Sequence, residues 1–328
     1  EQIFTNPLPK SDQENLIEVE KSENVKILLE NKARNGFSAS SLNTYRSCSL
    51  KFYYAELARI REPEELQDSM DAALLGQTVH EALFNIYKPL KNNILNESAL
   101  NNLFSQDDQA TSLAFGKRVR GGDLLTGKNH LLFKVATNLV RKVIRYDIEK
   151  ARKPGVNEVS VVYLEQEMET YLSVQMKNNL LSVKLKGVLD RVEKEGMDWY
   201  IIDYKSGNAD KKNVTLTDWE LLKSDTQLNM AFQLLFYGYL LWKFEKAPVS
   251  ARAGLLPLKK MAQGLMELNI SQEDDKSANH AISQATLIQF EETLNQILAE
   301  IFNPELPFVQ TENRENCKNC PYINLCGR

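Results

Sequence analysis

The stretch GVLDRVEKEGMDWYIIDYKSG, Gly187 to Gly207, decides the fold. Two apolar runs flank KEGMDW, which holds the Gly and Asp expected of a turn, so the segment reads as an antiparallel hairpin. A hairpin centred on that turn sets Asp190 opposite Asp203 on one sheet face. Lys205, two residues on, shares the face because strand side chains alternate. Opposed carboxylates destabilise a sheet, and half-buried ones do so more strongly, unless a cation lies between them. A divalent metal resolves the conflict, because two carboxylates with waters and substrate oxygens suit Mg²⁺. Lys205 would then hold an attacking water or balance charge on a phosphate. The competing reading is a solvent-facing hairpin with ordinary exposed charges, and the apolar contexts VLD and YIID count against it. A slip of one residue would move one acid to the opposite face.

Outward from the hairpin, VSVVYLEQEMETYLS and LLSVKLKGVLDRVE precede the turn as strands, and ARAGLLPLKK with LMELNIS follow it. Helical spacing marks MDAALLGQTVHEALFNIY, a long segment from about Asn129 to Lys150, TQLNMAFQLLFYGYLLWKFE and SQATLIQFEETLNQILAEIF. In FSASSLNTYRSCSLKFYYAEL the serines suit N-capping, so a helix is expected to start near Ser38 to Ser41. This order predicts an α/β fold with a central mixed sheet flanked by helices, not a regularly alternating parallel sheet. Residues 1–36 read as a polar extension or linker with at most a short strand or helix, and residues 91–155 as a helical insertion. No internal repeat or low-complexity tract is present.

At 328 residues and 43% apolar composition, the chain supports one large domain or two ordinary ones. No run of about eighteen uncharged apolar residues marks a membrane span. The opening EQIFTNPLPK lacks the basic and apolar regions of a signal peptide, so a cytoplasmic protein is expected. A chain beginning on Glu1 reads as a piece of something longer, with a partner domain elsewhere. The net charge of −4 does not announce a nucleic-acid binder. From Gly116 to Pro154, however, eleven bases stand against three acids, which suits either a phosphate-tracking surface or a solvated helix face. GDLLTGKN, residues 122–129, imitates a phosphate-binding loop but ends in Asn where Ser or Thr should meet Mg²⁺.

The chain ends ENCKNCPYINLCGR, placing Cys317, Cys320 and Cys326 in C-x2-C-x5-C spacing, with Cys48 the one other cysteine. Four thiolates complete one zinc site or one [4Fe-4S] cluster, and spacing leaves both open. For a cytoplasmic protein a disulfide is the weaker explanation. Either metal group would staple the C-terminal tail to the helix of Cys48 and close a very long loop.

With both features in hand, the sequence resembles the PD-(D/E)XK nuclease superfamily. More narrowly, it is similar to the iron-sulfur nuclease domain of AddB-type helicase-nuclease subunits, with the RecB nuclease domain and the CRISPR-associated four-cysteine exonucleases as relatives. The resemblance covers residues 37 to 326, which implies a restriction-endonuclease-like domain over 37–328. SASSLNTYRSCSL is similar to the family's opening helix, with Ser49 in place of a usual proline, and implies Cys48 as the first cluster ligand. LGQTVHEAL resembles the helix whose histidine lines the active site and contacts metal, which nominates His80. GVLDRV implies Asp190 as a metal-binding acid, and IIDYKSG supplies the D-x-K core of Asp203 and Lys205, with the backbone carbonyl of Tyr204 as a further ligand. QLLFY matches a Q-x3-Y helix and puts Gln233 and Tyr237 on one helical face. Glu165 stands in the strand where relatives often carry a glutamate, and Glu167 competes for that role.

The resemblance implies a Mg²⁺- or Mn²⁺-dependent deoxyribonuclease with a structural [4Fe-4S] cluster, or zinc as the alternative. It further implies single-stranded DNA as substrate, a helicase domain or subunit as partner, and work in double-strand-break repair and recombination. Without it, His80 reads as a core histidine in a stripe with Leu83, Phe84 and Tyr87, and Gln233 and Tyr237 as part of an amphipathic helix. A catalytically silent DNA-binding scaffold is the alternative from another class. Asp190, Asp203 and Lys205 together count against it, since a binder has no use for a costly acid pair. A zinc-stapled interaction module is a third.

Overall fold

A computed structural model describes residues 17–60, 72–117, 126–153, 158–176, 179–246, 251–271 and 279–328. In chain order the elements are β1 (Glu18–Val19), α1 (Glu23–Asn35), α2 (Ala39–Ser47), α3 (Ser49–Phe52), α4 (Ala72–Tyr87), α5 (Glu97–Leu103), α6 (Asp107–Gly116) and α7 (Gly127–Ala151). The strands β2 (Val159–Gln175), β3 (Leu180–Glu195) and β4 (Asp198–Lys205) follow. After them come β5 (Thr215–Leu216), α8 (Leu221–Ser224), α9 (Asn229–Glu245), β6 (Ala251–Pro257), β7 (Met266–Glu267), β8 (Asn269–Ile270), α10 (Gln284–Phe302) and β9 (Phe308–Val309).

The central sheet runs β2-β3-β4-β6-β7. β3 and β4 pair antiparallel in the register the turn dictates, with Arg191 opposite Ile202 and Glu195 opposite Asp198. β4 then pairs parallel with β6, placing Asp203 opposite Leu255, so the sheet is mixed. Two apolar cores lie against it. One packs α1, α2, α9 and α10 around Leu185, Leu189 and Ile201. The other packs α4 to α7 around Val161, Ile202 and Tyr204.

α9 is apolar on every side because it lies between the sheet and α10, with Phe232, Leu235, Phe236, Tyr239 and Leu240 fully buried. Each such side chain contributes about 1.5–3 kcal/mol by leaving water. Gly187 of the GVLD segment has a packing role here, since a Cβ would meet Leu240 Cδ1 at 2.9 Å.

The reading of residues 1–36 as a polar extension needs correction over its second half, while the helix expected to start near Ser38 does so with Ser38 as its N-cap. The chain from Ile17 to Gly36 is part of the fold, since β1 pairs with β9 and the thirteen-residue α1 buries Val25, Leu29 and Ala33. Residues 1–16 lie outside the described residues. The helix opening near Ser38 breaks at Cys48, whose backbone is extended (φ −168, ψ 115) and whose Sγ accepts from Lys51 N at 3.4 Å. Cys48 therefore caps both α2 and α3, and the break sets the direction of its thiol. Four of the bases after Gly116 pair with acids among the described residues. Lys117 pairs with Glu81, Arg141 with Asp107 and Asp108, Lys150 with Glu193, and Arg152 with Glu97. Part of the local positive charge is thus balanced by acids from other elements. Residues 118–125 and Pro154, with part of the false phosphate loop, fall outside the described residues.

Among the described residues, no helix is long and apolar enough to cross a membrane.

Candidate active site

The site forms where β3 and β4 part. Their pairing runs as far as Arg191 and Ile202, and beyond it Asp190 Oδ2 accepts from Tyr204 N at 2.8 Å. Two carboxylates are thereby carried into the interior, Asp190 at 8% exposure and Asp203 at 2%. On β2 the ladder is interrupted between the pairs Leu164–Arg191 and Gln166–Leu189, and the intervening Glu165 has φ 42. A left-handed conformation at a residue with a Cβ costs of order 1–3 kcal/mol and persists where the surroundings impose it. Here it turns the Glu165 carboxylate to 3.5 Å from His80 Nδ1. Between the two glutamates weighed from sequence, Glu165 lines the cleft.

α4 delivers His80 from above. A Cβ at Gly76 would lie 2.7 Å from Ser206 Oγ, so glycine lets the helix rest on the loop leaving β4. His80 Nε2 donates to the Tyr204 carbonyl at 3.0 Å, and Nδ1 faces Asp190 Oδ2 and Glu165 Oε1, each at 3.5 Å. Both ring nitrogens face acceptors, which requires the imidazolium in the metal-free protein. Burial opposes that charge, but the hydrogen bonds and charges of Asp190 and Glu165 outweigh it, and His80 is pushed up to about 10.

α9 supplies the opposite wall. Gln233 Oε1 accepts from Lys205 Nζ at 2.8 Å, while Nε2 donates to Asp203 Oδ1 at 3.1 Å and to the Tyr237 hydroxyl at 2.7 Å. Lys205 Nζ also stands 2.8 Å from Asp203 Oδ2, an oxygen with no aligned hydrogen-bond donor. Burial first, and then the charge of Asp190, push Asp203 up to about 6 against the pull of Lys205. Burial and the charges of Asp203 and Asp190 raise the Tyr237 phenol, which stays protonated and able to donate.

These side chains line one open cleft of about 590 Å³. The structure thus brings His80, Glu165, Asp190, Asp203, Tyr204, Lys205, Gln233 and Tyr237 together, as the sequence pattern anticipated. Gln77, Glu81, Phe84 and Ser206 also line it and were not singled out. Gln77 and Phe84 stand three residues before and four after His80, the one signal that could have marked them.

The donors themselves test the fit to a cation. Ligand atoms of His80, Glu165 and Asp190 lie within 4.8 Å of one another, and Asp203 Oδ2 adds a buried carboxylate oxygen without an aligned donor. A set dominated by hard oxygens with one imidazole suits Mg²⁺ or Mn²⁺.

At the far end of the first core, Cys48, Cys317, Cys320 and Cys326 line a second, smaller cavity as free thiols. Burial first, and then the charges of the other three sulfurs, raise the Cys326 thiol. Protein contacts already dock the tail there. Asn316 Nδ2 donates to Ser47 O at 2.9 Å, the Tyr322 hydroxyl to Ile60 O at 2.8 Å, and Gln310 Nε2 to Cys326 O at 2.7 Å.

The chain belongs to the PD-(D/E)XK nuclease superfamily, whose family model matches residues 36–327. No curated protein matches it in sequence. Among solved structures it is similar to a Eubacterium rectale protein described as a candidate exonuclease, at 12% identity and a TM-score of 0.43, with 90% of each chain covered.

Proposed function

We propose that this nuclease-superfamily chain is a metal-dependent deoxyribonuclease that hydrolyses phosphodiester bonds, acting as an exonuclease on single-stranded DNA. The observation that carries the reading is the meeting of His80, Glu165, Asp190, Asp203 and Lys205 in one cleft. A binding scaffold would gain nothing from two buried acids, of which Asp203 is raised by burial and then by the charge of Asp190.

His80, Glu165, Asp190, Asp203 and the Tyr204 carbonyl would hold one or two divalent cations. Such a cation supplies Lewis-acid polarisation of the scissile phosphoryl group. The chain's own residues do the rest. Lys205, fixed by Asp203 and Gln233, directs its ammonium to orient the attacking water and balance phosphate charge. Gln233 fixes the rotamers of Asp203, Lys205 and Tyr237 at once, and the Tyr237 hydroxyl donates toward a phosphate oxygen. Phe84, on the cleft wall, excludes water and offers a face to a base.

The cysteine quartet would carry a [4Fe-4S] cluster that pins the tail to α2 and α3, since hydrolysis needs no redox step. Zinc is the alternative occupant of the same four sulfurs. A helicase domain or subunit would feed the strand, and the complex would serve double-strand-break repair and recombination in the cytoplasm.

The test compares 3′- and 5′-labelled single-stranded DNA, duplex DNA and RNA with anaerobically purified protein, alongside iron, sulfide and zinc analysis. The reading expects a ladder from one end of single-stranded DNA and about four irons and four sulfides per chain. Colourless protein with one zinc would replace the cluster, and uniform internal cuts would replace the exonuclease.

A further inference from the structure

Behind the candidate site, on the sheet face covered by α4 and α7, lies a network of buried charged residues with the half-buried Lys150 at its edge. Arg191 is 1% exposed, Glu193 0% and Asp147 4%. Arg191 Nη1 donates to Asp147 Oδ2 at 2.8 Å, and Nη2 donates to Glu193 Oε1. Lys150 Nζ donates to Glu193 Oε2 at 3.0 Å, so two cations balance two anions. The Tyr87 hydroxyl donates to Asp147 Oδ2, and the guanidinium lies over the Tyr87 ring, 4.5 Å from its centroid.

Stability alone gives little reason for such a network, because buried ion pairs are often matched or bettered by apolar residues of similar volume. Its reach toward the cleft gives a better one. The Tyr204 hydroxyl accepts from Arg191 Nη1 at 3.3 Å, and the rest of Tyr204 faces the site. Its N–H holds Asp190 Oδ2, its carbonyl receives His80 Nε2, and its ring meets the His80 ring edge-on at 5.7 Å and 86°. His80 and Tyr87 both stand on α4, so the same network grips that helix at Tyr87 and the strand at Tyr204. Asp147 and Lys150 stand on α7, which ties the helices of residues 97–151 to the same point.

We propose that Arg191 and Asp147, acting through the Tyr204 side chain, form a positioning network that fixes His80, Asp190 and the Tyr204 carbonyl in ligand geometry. This inference rests on the metal-site reading above. The network touches neither substrate nor cation. Its effect is to hold two ligand residues and one carbonyl at fixed angles, as partners of metal ligands do elsewhere.

Tyr204→Phe deletes one oxygen and leaves the fold and the backbone carbonyl in place. Arg191→Lys keeps the charge but loses the fork that joins Asp147 to Glu193. Mn²⁺ binding by each protein is measured by calorimetry and electron paramagnetic resonance, with melting temperature and cleavage against Mn²⁺ concentration alongside. For Tyr204→Phe the expected result is Mn²⁺ affinity weaker by about tenfold. Cleavage should recover at saturating Mn²⁺, and the melting temperature should stay close to the parent's. Arg191→Lys should weaken Mn²⁺ in the same direction. A folded Tyr204→Phe protein that binds Mn²⁺ as tightly as the parent overturns the proposal, as do variants that lose only melting temperature. A parent that binds no Mn²⁺ overturns the metal-site reading and this inference together.

Discussion

Lys205 and Asp203 form an ion pair of 2.8 Å across one face of β4, at the floor of the cleft. The pair does not cancel the cost of burying Asp203, which still titrates near 6. Asp203→Asn therefore removes a charge that the fold tolerates poorly. Without metal, the variant should melt about 2–4 °C above the parent at pH 8, while cleavage disappears. A variant that melts well below the parent in calorimetry would contradict the assignment of Asp203 as a strained functional acid.

His80 and Asp203 both bind a proton more tightly in the folded chain than in the unfolded one, so both give the metal-free protein stability that fades as pH rises. The Asp203 contribution is full below 3.8 and lost as pH climbs through about 6. The His80 contribution is full below 6.5 and lost toward about 10. Metal ligation needs the deprotonated forms, so Mg²⁺ should protect more as pH rises. Melting curves of the parent and His80→Gln from pH 6 to 10 check this. Parallel curves would mean that His80 carries no linked proton.

Glu165→Gly separates strain from ligation. Glycine adopts φ 42 freely, so the variant should be neutral or gain about 1 kcal/mol in denaturant unfolding. Its Mg²⁺ requirement for cleavage should still rise at least tenfold. Unchanged metal dependence would place Glu165 outside the metal shell.

The hairpin register was legible because a period of two and a turn at Gly196 and Met197 leave one pairing that puts Asp190 and Asp203 together. The long helices α7, α9 and α10 were legible from their apolar spacing. α1 was missed although Val25, Leu29 and Ala33 recur every fourth residue, because Lys26, Glu30, Asn31 and Lys32 interleave with them and make the segment read as polar. Neither the break at Cys48 nor the left-handed Glu165 has a local signature. The first follows from a side-chain cap and the second from contact with His80, a residue far away in sequence. The Arg191 network was hidden for the same reason, since Asp147 lies 44 positions before Arg191 and only the fold brings them together.

On the proposed cluster, Cys317→Ala should free the tail, because it removes a ligand that would close the loop back to Cys48. Loss of that group should cost roughly 3–5 kcal/mol, the scale of a long-loop cross-link, and weaken DNA binding with it. Unfolding titrations and limited proteolysis of the tail measure this. Full stability after loss of the group would show that contacts such as Asn316 to Ser47 suffice.

The most direct test follows end-labelled single-stranded DNA with Mg²⁺, with Mn²⁺ and with EDTA, comparing the anaerobically purified parent with Lys205→Ala. The account expects metal-dependent cleavage by the parent, none in EDTA, and a loss of about 10²–10³-fold in the variant. Equal cleavage by the variant, cleavage in EDTA, or none by a folded, metal-loaded parent would contradict it.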